Sequence, residues 1–453
     1  MVMVAESVRT LKGFLALTGL EPLALAMVLR MVLAFVWHRG RMSCSAAGSI
    51  ASSAVQRGEL TRFLARPRWQ KIDFNAPLRK ALLAKEAGRG RFVFIVDATL
   101  VSQAGAKTQN THCTGNRQRR PTKGRRYNAK KVVRKRCHTF TFGLLITPSG
   151  IRIPFQIPHY TKEYCRKQGI THRTTAESAA ELIRGLPLPE GADVVVLGDT
   201  AYDADVVQQA CRERGYVWIV PANPERVYEG PPGHRPQVRS RLKDWTRLSL
   251  NTIRLRMSTG KHAGYRRLSQ WRLGPKQKPR VFYAHQERSV VRRVGDVQLV
   301  FSTMKQHLKT ATPDDVKILM TNATGMSVTE VIELYSLRWQ IELFFKELKS
   351  TLGFHQYRFQ DFAAVRAWAE IALTTVLFLE YERAQHLTDR RVPPDPRRWW
   401  QSQRLHGLCS AFRQESAGRE LKYLADRLKS AGGIQKLKRL LAAALPKEYR
   451  TPA

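Results

Sequence analysis

Three acidic residues stand where a folded chain can hold a side chain rigidly. Asp97 follows the apolar run Arg91 to Val96 (RFVFIV), Asp199 follows Asp193 to Leu197 (DVVVL) and Gly198, and Glu342 lies within Tyr335 to Leu352 (YSLRWQIELFFKELKSTL). Oxygen-only donors of this kind suit Mg²⁺. Two such ions held roughly 3.5 to 4 Å apart can activate a nucleophilic oxygen and stabilise a departing one in an in-line displacement at phosphorus. The surroundings of Glu342 suit that chemistry. At roughly 100° per residue, Tyr335, Arg338, Glu342, Lys346 and Lys349 form a narrow polar stripe, and the cations would hold phosphates. The plainer alternative is that Glu342 pairs with Lys346 and Lys349 at ordinary helix spacings.

A single amphipathic helix is expected to carry this stripe. Beside it lie Leu334, Leu337, Ile341, Phe344, Phe345, Leu348 and Leu352, an apolar side that must pack on a core, whereas Glu333 and Glu347 point away from the stripe. Ser327 is the expected N-cap of the helical region, with Glu330 three residues on. RFVFIV is too short for a helix and reads as a strand ending on Asp97. Thr139 to Thr147 and Ile151 to His159 read as two more strands, joined as a hairpin through Pro148, Ser149 and Gly150. Thr174 to Gly185 reads as a helix, and DVVVL as a strand of the buried type. Asp203 to Gly215 is expected to be helical, with Asp203 and Asp205 in its first turn, where acids favour the helix dipole. Tyr216 to Val220 is a further strand, Val316 to Met320 resumes the same style, and Phe362 to Leu379 is a second apolar helix.

Strand, hairpin, helix, strand, helix, strand and closing helix is the order of an α/β ribonuclease-H-like core. In that order Asp97 and Asp199 end neighbouring strands and the closing helix brings Glu342 over them. From Asn223 to about Pro313 the chain changes to Pro, Gly and Arg with short alternating runs, read as a separate β-rich basic insertion. Five regions follow: a helical N-terminal DNA-binding region (1–88), the first part of the core (89–222), the insertion (223–314), the second part with the Glu342 helix (315–385), and a basic helical C-terminal region (386–453). In the first, Ser43 to Trp69 gives two short helices with a turn near Arg57 and Gly58. That is a helix-turn-helix with Thr61, Arg62 and Arg66 free to face a groove, or an ordinary pair of packed helices. In the last, Leu424, Leu428, Leu437, Leu440 and Leu441 suggest an apolar face for dimerisation.

The charge points to the partner. The chain has 453 residues, 43% hydrophobic, enough for a large core, and its 77 Lys and Arg against 36 Asp and Glu leave +41. So large an excess calls for a polyanion, nucleic acid before an anionic membrane. Arg117 to Arg136 alone holds 11 Lys and Arg and no acid. Arg125, Arg126, Lys130, Lys131 and Arg134 within it are candidate phosphate contacts, unless the loop is simply solvated. Phe14 to Trp37 is interrupted by Glu21, Pro22 and Arg30, so its pieces fall short of the roughly 20 residues that span a bilayer. It reads as a buried helix starting near Pro22, with no membrane as partner. Six scattered cysteines without CxxC spacing argue for reduced thiols in a cytoplasm.

Tyr335, Arg338, Glu342 and Lys349 fall in the spacing Y-x2-R-x3-E-x6-K, which resembles the signature of the DDE transposases of insertion-sequence family four. Asp199-Thr-Ala-Tyr202 is similar to that family's second motif, and Asp97 after RFVFIV to its first. The resemblance implies that Asp97, Asp199 and Glu342 hold two Mg²⁺ or Mn²⁺ ions, while Tyr335, Arg338 and Lys349 contact the transposon-end strand, with Lys346 beside them. It implies cut-and-paste transposition in a bacterial cytoplasm, on the nucleoid. The substrates would be double-stranded transposon ends with inverted repeats and target DNA, synapsed by a homodimer. It further implies a hairpin intermediate assisted by an insertion-domain tryptophan, for which Trp245 and Trp271 are candidates. The alternatives are a ribonuclease-H-like nuclease without strand transfer, and a non-catalytic DNA-binding protein or inactive transposase-derived repressor.

Overall fold

A computed structural model describes residues 5–38, 41–50, 57–66, 72–86, 88–103, 105, 107–114, 135–223, 226–230, 266–271, 279–304 and 315–387, with short pieces between 405 and 414. The chain opens with five helices, α1 (Ala5–Ala16), α2 (Pro22–Trp37), α3 (Cys44–Ile50), α4 (Arg57–Ala65) and α5 (Ala76–Leu83). Strands β1 (Phe92–Gln103), β2 (His112–Thr114), β3 (Lys135–Ile146) and β4 (Arg152–Pro158) follow. Next come α6 (Lys162–Gln168), α7 (Thr175–Arg184), β5 (Val194–Leu197), α8 (Asp205–Glu213) and β6 (Val217–Pro221). Strands β7 (Tyr228–Gly230), β8 (Arg266–Trp271), β9 (Pro279–Val291), β10 (Gly295–Thr303) and β11 (Lys317–Thr321) lead into α9 (Val328–Ser336), α10 (Trp339–Ser350) and α11 (Phe362–Leu387).

All the described strands join one mixed sheet in the order β2-β3-β1-β5-β6-β11-β10-β9-β7, with β4 also on β3 and β8 on β9. As expected, the first strand is flanked by its hairpin partner and by the next parallel strand: β1 runs antiparallel to β3 and parallel to β5. The described strands of residues 223–314 form no sheet of their own, because β10 hydrogen-bonds along β11 and extends the core sheet.

Side-chain alternation decides which face of β1 meets which helix. Asp97 is directly opposite Phe142 on β3, and Thr99 opposite Phe140, so these four share a face. Phe142 packs on Phe344 and Phe345 of α10, with ring centroids 6.1 and 5.3 Å apart, which puts α10 over the Asp97 face. A buried ion network holds the far side of α10: Arg152 on β4 lies 2.8 Å from Glu380 of α11 and 3.5 Å from Glu347 of α10, and Arg383 also pairs with Glu380.

Two expectations are corrected. The polar stripe is carried by two helices, because the hydrogen bonds at the junction tighten to three-residue spacing: Arg338 N–H donates to Tyr335 O at 3.0 Å and Gln340 N–H to Leu337 O at 2.9 Å. Ser336, whose hydroxyl turns back to Glu333 O at 2.6 Å, favours that bend. Gly58 sits in the first turn of α4 and not between helices, while Thr61, Arg62 and Arg66 are exposed as expected. Among the described residues one stretch has membrane-spanning length, Phe362–Ala384 in α11, but 83% of its apolar window is buried inside the protein. Phe14 to Trp37 does yield a buried helix from Pro22, with Val28, Val32 and Phe35 wholly enclosed.

On the other face of β1 the sheet needs a glycine. Gly143 is opposite Val96, and the buried Phe94 ring lies over it, so that a Cβ at 143 would collide with the ring. Gly143→Ala is expected to cost about 1–3 kcal/mol, the usual range for overpacking a core. Urea unfolding measures it, and adding Phe94→Leu should recover part of the loss. An unshifted midpoint would mean the sheet yields without strain.

Candidate active site

Asp97 lies inside β1 and not at its end. The apolar run that suggested an end is only the stretch paired with β5, Phe92 to Ile95 against Val194 to Leu197, and beyond it β1 continues along β3. What ends at Asp97 is the cover on one side. Carrying the parallel register two residues past Ile95 and Leu197 brings Asp97 level with Asp199, on strands about 4.8 Å apart. Asp199 is fixed by its own backbone: it caps the short 3-10 turn Thr200–Tyr202, with Ala201 N–H donating to its Oδ1 at 2.8 Å. Asp97 Oδ1 likewise accepts from Ala98 N–H at 2.7 Å.

The junction of α9 and α10 brings Arg338 and Glu342 to the same place. Arg338 Nη2 donates to Glu342 Oε1 at 2.5 Å, and Nη1 stands 3.8 Å from Asp97 Oδ2. Its guanidinium carbon lies 6.0 Å from the centre of the Tyr335 ring. Two turns further along, Lys349 Nζ donates to Thr99 Oγ1 at 2.7 Å and to Leu100 O at 3.0 Å, tying α10 to β1 beyond Asp97. Lys346 is exposed. The plain pairing of Glu342 with Lys346 and Lys349 thus gives way to a pairing with Arg338.

These groups share one electrostatic field. Burial pushes the Asp97 carboxyl up to about 6, Asp199 and Glu342 push in the same direction, and the Ala98 N–H and Arg338 oppose them. Burial also raises the Tyr335 phenol to about 12, with Asp199 and Glu342 adding and Arg338 opposing. Burial lowers Lys349. Asp97, half-buried and acted on by the charges of Asp199 and Glu342, makes with them a hard-oxygen donor set short of positive charge, which fits a divalent cation. Among the described residues no three such side chains are gathered closely enough to hold an ion as they stand. The Arg338 guanidinium bridges Asp97 and Glu342 instead.

Other sequence-predicted residues fall elsewhere. Asp203 precedes α8 and does not belong to its first turn; it is buried and held by Arg226 at 3.0 Å, while Asp205 in that turn pairs with the same arginine at 3.1 Å. Arg226, in a stretch assigned to the insertion, gave no sequence signal for this role. Glu347 points away from the site, as expected, into the Arg152 network. Thr99 as the partner of Lys349 was missed, though it lies two residues from Asp97 and so on the same strand face. Arg125, Arg126, Lys130, Lys131, Arg134, Trp245 and the C-terminal leucines lie outside the described residues. Trp271 ends β8.

The raised Asp97 value has a stability consequence. Folding favours the protonated form, so its contribution is full below about pH 4 and is lost as pH rises through about 6. Without divalent metal, Asp97→Asn should therefore be more stable than the parent at pH 7 by about 1–3 kcal/mol, allowing for screening. The gain should vanish below about pH 4. Thermal melts across pH in EDTA would show this, and equal melting points at pH 7 would remove the claim that the buried charge is under-compensated.

Comparison with known families addresses the same residues. Residues 31–272, more than half of the 453, match the family described as DDE superfamily endonuclease, and residues 167–378 match the transposase DDE domain. Together the matched ranges span Asp97, Asp199 and Glu342. No curated protein sequence matches the chain. Such domains imply a ribonuclease-H-like core, which fits the neighbours β4, β3, β1, β5 and β6, and generally depend on divalent metal. By these matches the chain belongs to the DDE superfamily, as a DDE-type transposase.

Proposed function

We propose that this transposase serves a bacterial insertion sequence of family four, binding its terminal inverted repeats and moving it by cut-and-paste. Asp97, Asp199 and Glu342 are assigned as the catalytic carboxylates. The observation that carries the assignment is the Arg338 guanidinium held between Glu342 and Asp97, on the side of β1 where Asp199 is level with Asp97. A cation thus stands between two of the three acids, which supports reading this place as one for positive charge.

Two Mg²⁺ or Mn²⁺ ions held by the three carboxylates would supply charge stabilisation and a lowered pKa for the attacking hydroxyl. The chain's own residues do the rest. Water adds to the phosphorus at the element's end and the 3′-oxygen leaves with a proton; that 3′-hydroxyl then attacks the opposite strand, expelling the flanking DNA's 3′-oxygen and closing a hairpin. A second water reopens the hairpin to restore the 3′-hydroxyl, and this attacks a target phosphate as the target's 3′-oxygen leaves. Lys349, locked to Thr99 and Leu100, sets α10 against β1 so that Glu342 keeps its height over Asp97. Exposed Lys346 faces the phosphates, with Tyr335, Arg338 and the basic loop carrying Arg125, Arg126, Lys130, Lys131 and Arg134 as further DNA contacts. The +41 charge supports a polyanionic partner held over a long footprint. Two copies are expected to synapse two ends, in the cytoplasm at the nucleoid.

Cleavage of a plasmid carrying the element's flanking repeats tests the assignment. Glu342→Gln should cut at least roughly a thousandfold more slowly while still binding the ends, as expected when several kcal/mol of charge stabilisation are removed. Equal cutting by both proteins, or cutting in EDTA, would sink it. Lys346→Ala should weaken end binding and lower the slope of log K against log salt by about 0.9, one phosphate contact. A slope that stays put would take Lys346 off the DNA.

A further inference from the structure

Tyr202 has a polar group with no use in anything described so far. It closes the 3-10 turn that Asp199 caps, and only 2% of it is exposed. Its hydroxyl is buried and has no hydrogen-bond partner among the described residues. Phenylalanine would fill the same space without leaving a phenol unpaired, and leaving one unpaired in a protein interior is costly. The position of the ring is also constrained. A Cβ at Gly198 would stand 2.8 Å from Tyr202 Cβ, so the glycine before Asp199 lets the tyrosine fold in under the strand end.

The neighbourhood says what the hydroxyl is for. Tyr202 closes the turn that Asp199 caps, and the parallel register sets Asp97 level with Asp199 on the neighbouring strand, so both carboxylates flank the turn that holds the phenol; burial first, and then their charges, raise its pKa. Each carboxylate already takes one backbone N–H at its Oδ1, Asp199 from Ala201 in the same turn and Asp97 from Ala98, which leaves each an Oδ2 to offer. Asp97 belongs to the neighbouring strand, where Arg338 stands 3.8 Å from its Oδ2, beyond hydrogen-bond length. A neutral phenol donates one hydrogen bond and an ionised carboxylate accepts.

We infer that Tyr202 is a positioning residue of the DDE site, whose hydroxyl donates to the Asp97 carboxylate when the three acids draw together, locking β1 to the turn after β5. The inference rests on the assignment of Asp97, Asp199 and Glu342 made above. It gives the unpaired phenol a partner in the loaded site, at the expense of an unsatisfied group in the metal-free one. Bonds from a neighbouring group that orient a ligand side chain commonly change metal affinity by 10–100-fold.

Tyr202→Phe in the full chain tests it with two readouts besides activity. In EDTA its melting temperature should equal or exceed that of the parent, since no hydrogen bond is lost. By calorimetric titration without DNA, its Mn²⁺ affinity should fall about tenfold, and end cleavage should lose kcat with little change in KM for the DNA. A lower melting temperature in EDTA would mean that the hydroxyl is already bonded in the metal-free fold, and unchanged Mn²⁺ affinity would mean that it never meets Asp97; either overturns the inference. Asp199→Asn separates the two levels. If that variant keeps full Mn²⁺ affinity, the carboxylate assignment falls and Tyr202 with it; if it loses affinity while Tyr202→Phe keeps it, only the Tyr202 inference falls.

Discussion

A half-buried carboxylate under the charge of two others is the constraint on which the rest of this site depends. Asp97 is half-buried on the strand that the sheet folds around, paired along β3 on one side and just past the end of the β5 pairing on the other. Ionising it there is opposed by lost hydration and by Asp199 and Glu342, and among the described residues Arg338 is the side chain that relieves the charge. A protein selected for stability alone would place an asparagine or an apolar residue at 97. That an acid persists, with its counter-ion on another element, ties the fold to a task that needs concentrated negative charge.

The counter-ion is useful only if α10 is held in rotation and height, and the helix is held from two sides by different means. Toward the outside, Glu347 enters the enclosed cluster of Arg152, Glu380 and Arg383. Removing one member of such a cluster strands a buried charge and typically costs about 3–5 kcal/mol. Toward the sheet, Lys349 is bound to Thr99 and Leu100, while Phe344 and Phe345 pack on Phe142. The tightened turn at Leu337 and Arg338 then lets the arginine reach both Glu342 and Asp97. Rotation is fixed by ion pairs, height by the lysine, and the reach of the cation by the bend.

Much of this was legible in the sequence, and what was not has identifiable causes. Short β-branched runs with turn residues between them gave the hairpin of β3 and β4 and the parallel strands β5 and β6, because fully buried strands have few other ways to be written. The end of β1 was misplaced because its second half, ATLVSQ, alternates between buried and exposed residues, so that hydropathy falls while the strand continues. The bend before α10 was invisible because its cause is hydrogen bonding, and the apolar spacing runs through it unbroken. Arg338 was placed in the stripe correctly, but spacing on one helix says nothing of Asp97, a partner 241 positions away. Asp203 was misjudged for the same reason: Arg226, which holds it, belongs to another segment.

Arg338 is asked for two contacts that exclude each other. Under the proposed function it holds the transposon-end strand, whereas in the structure its guanidinium is on Glu342 and beside Asp97. A planar guanidinium donates readily to carboxylate or phosphate, and its charge cannot be removed by deprotonation. Under the proposed function, a phosphate arriving at α10 competes with Glu342 for the same donors, and a guanidinium drawn to the phosphate leaves the carboxylates with excess negative charge. Divalent cations would be most welcome at that moment and least welcome before it. The same arginine thus lowers the cost of keeping three acids together in the resting protein and links their release to the arrival of DNA.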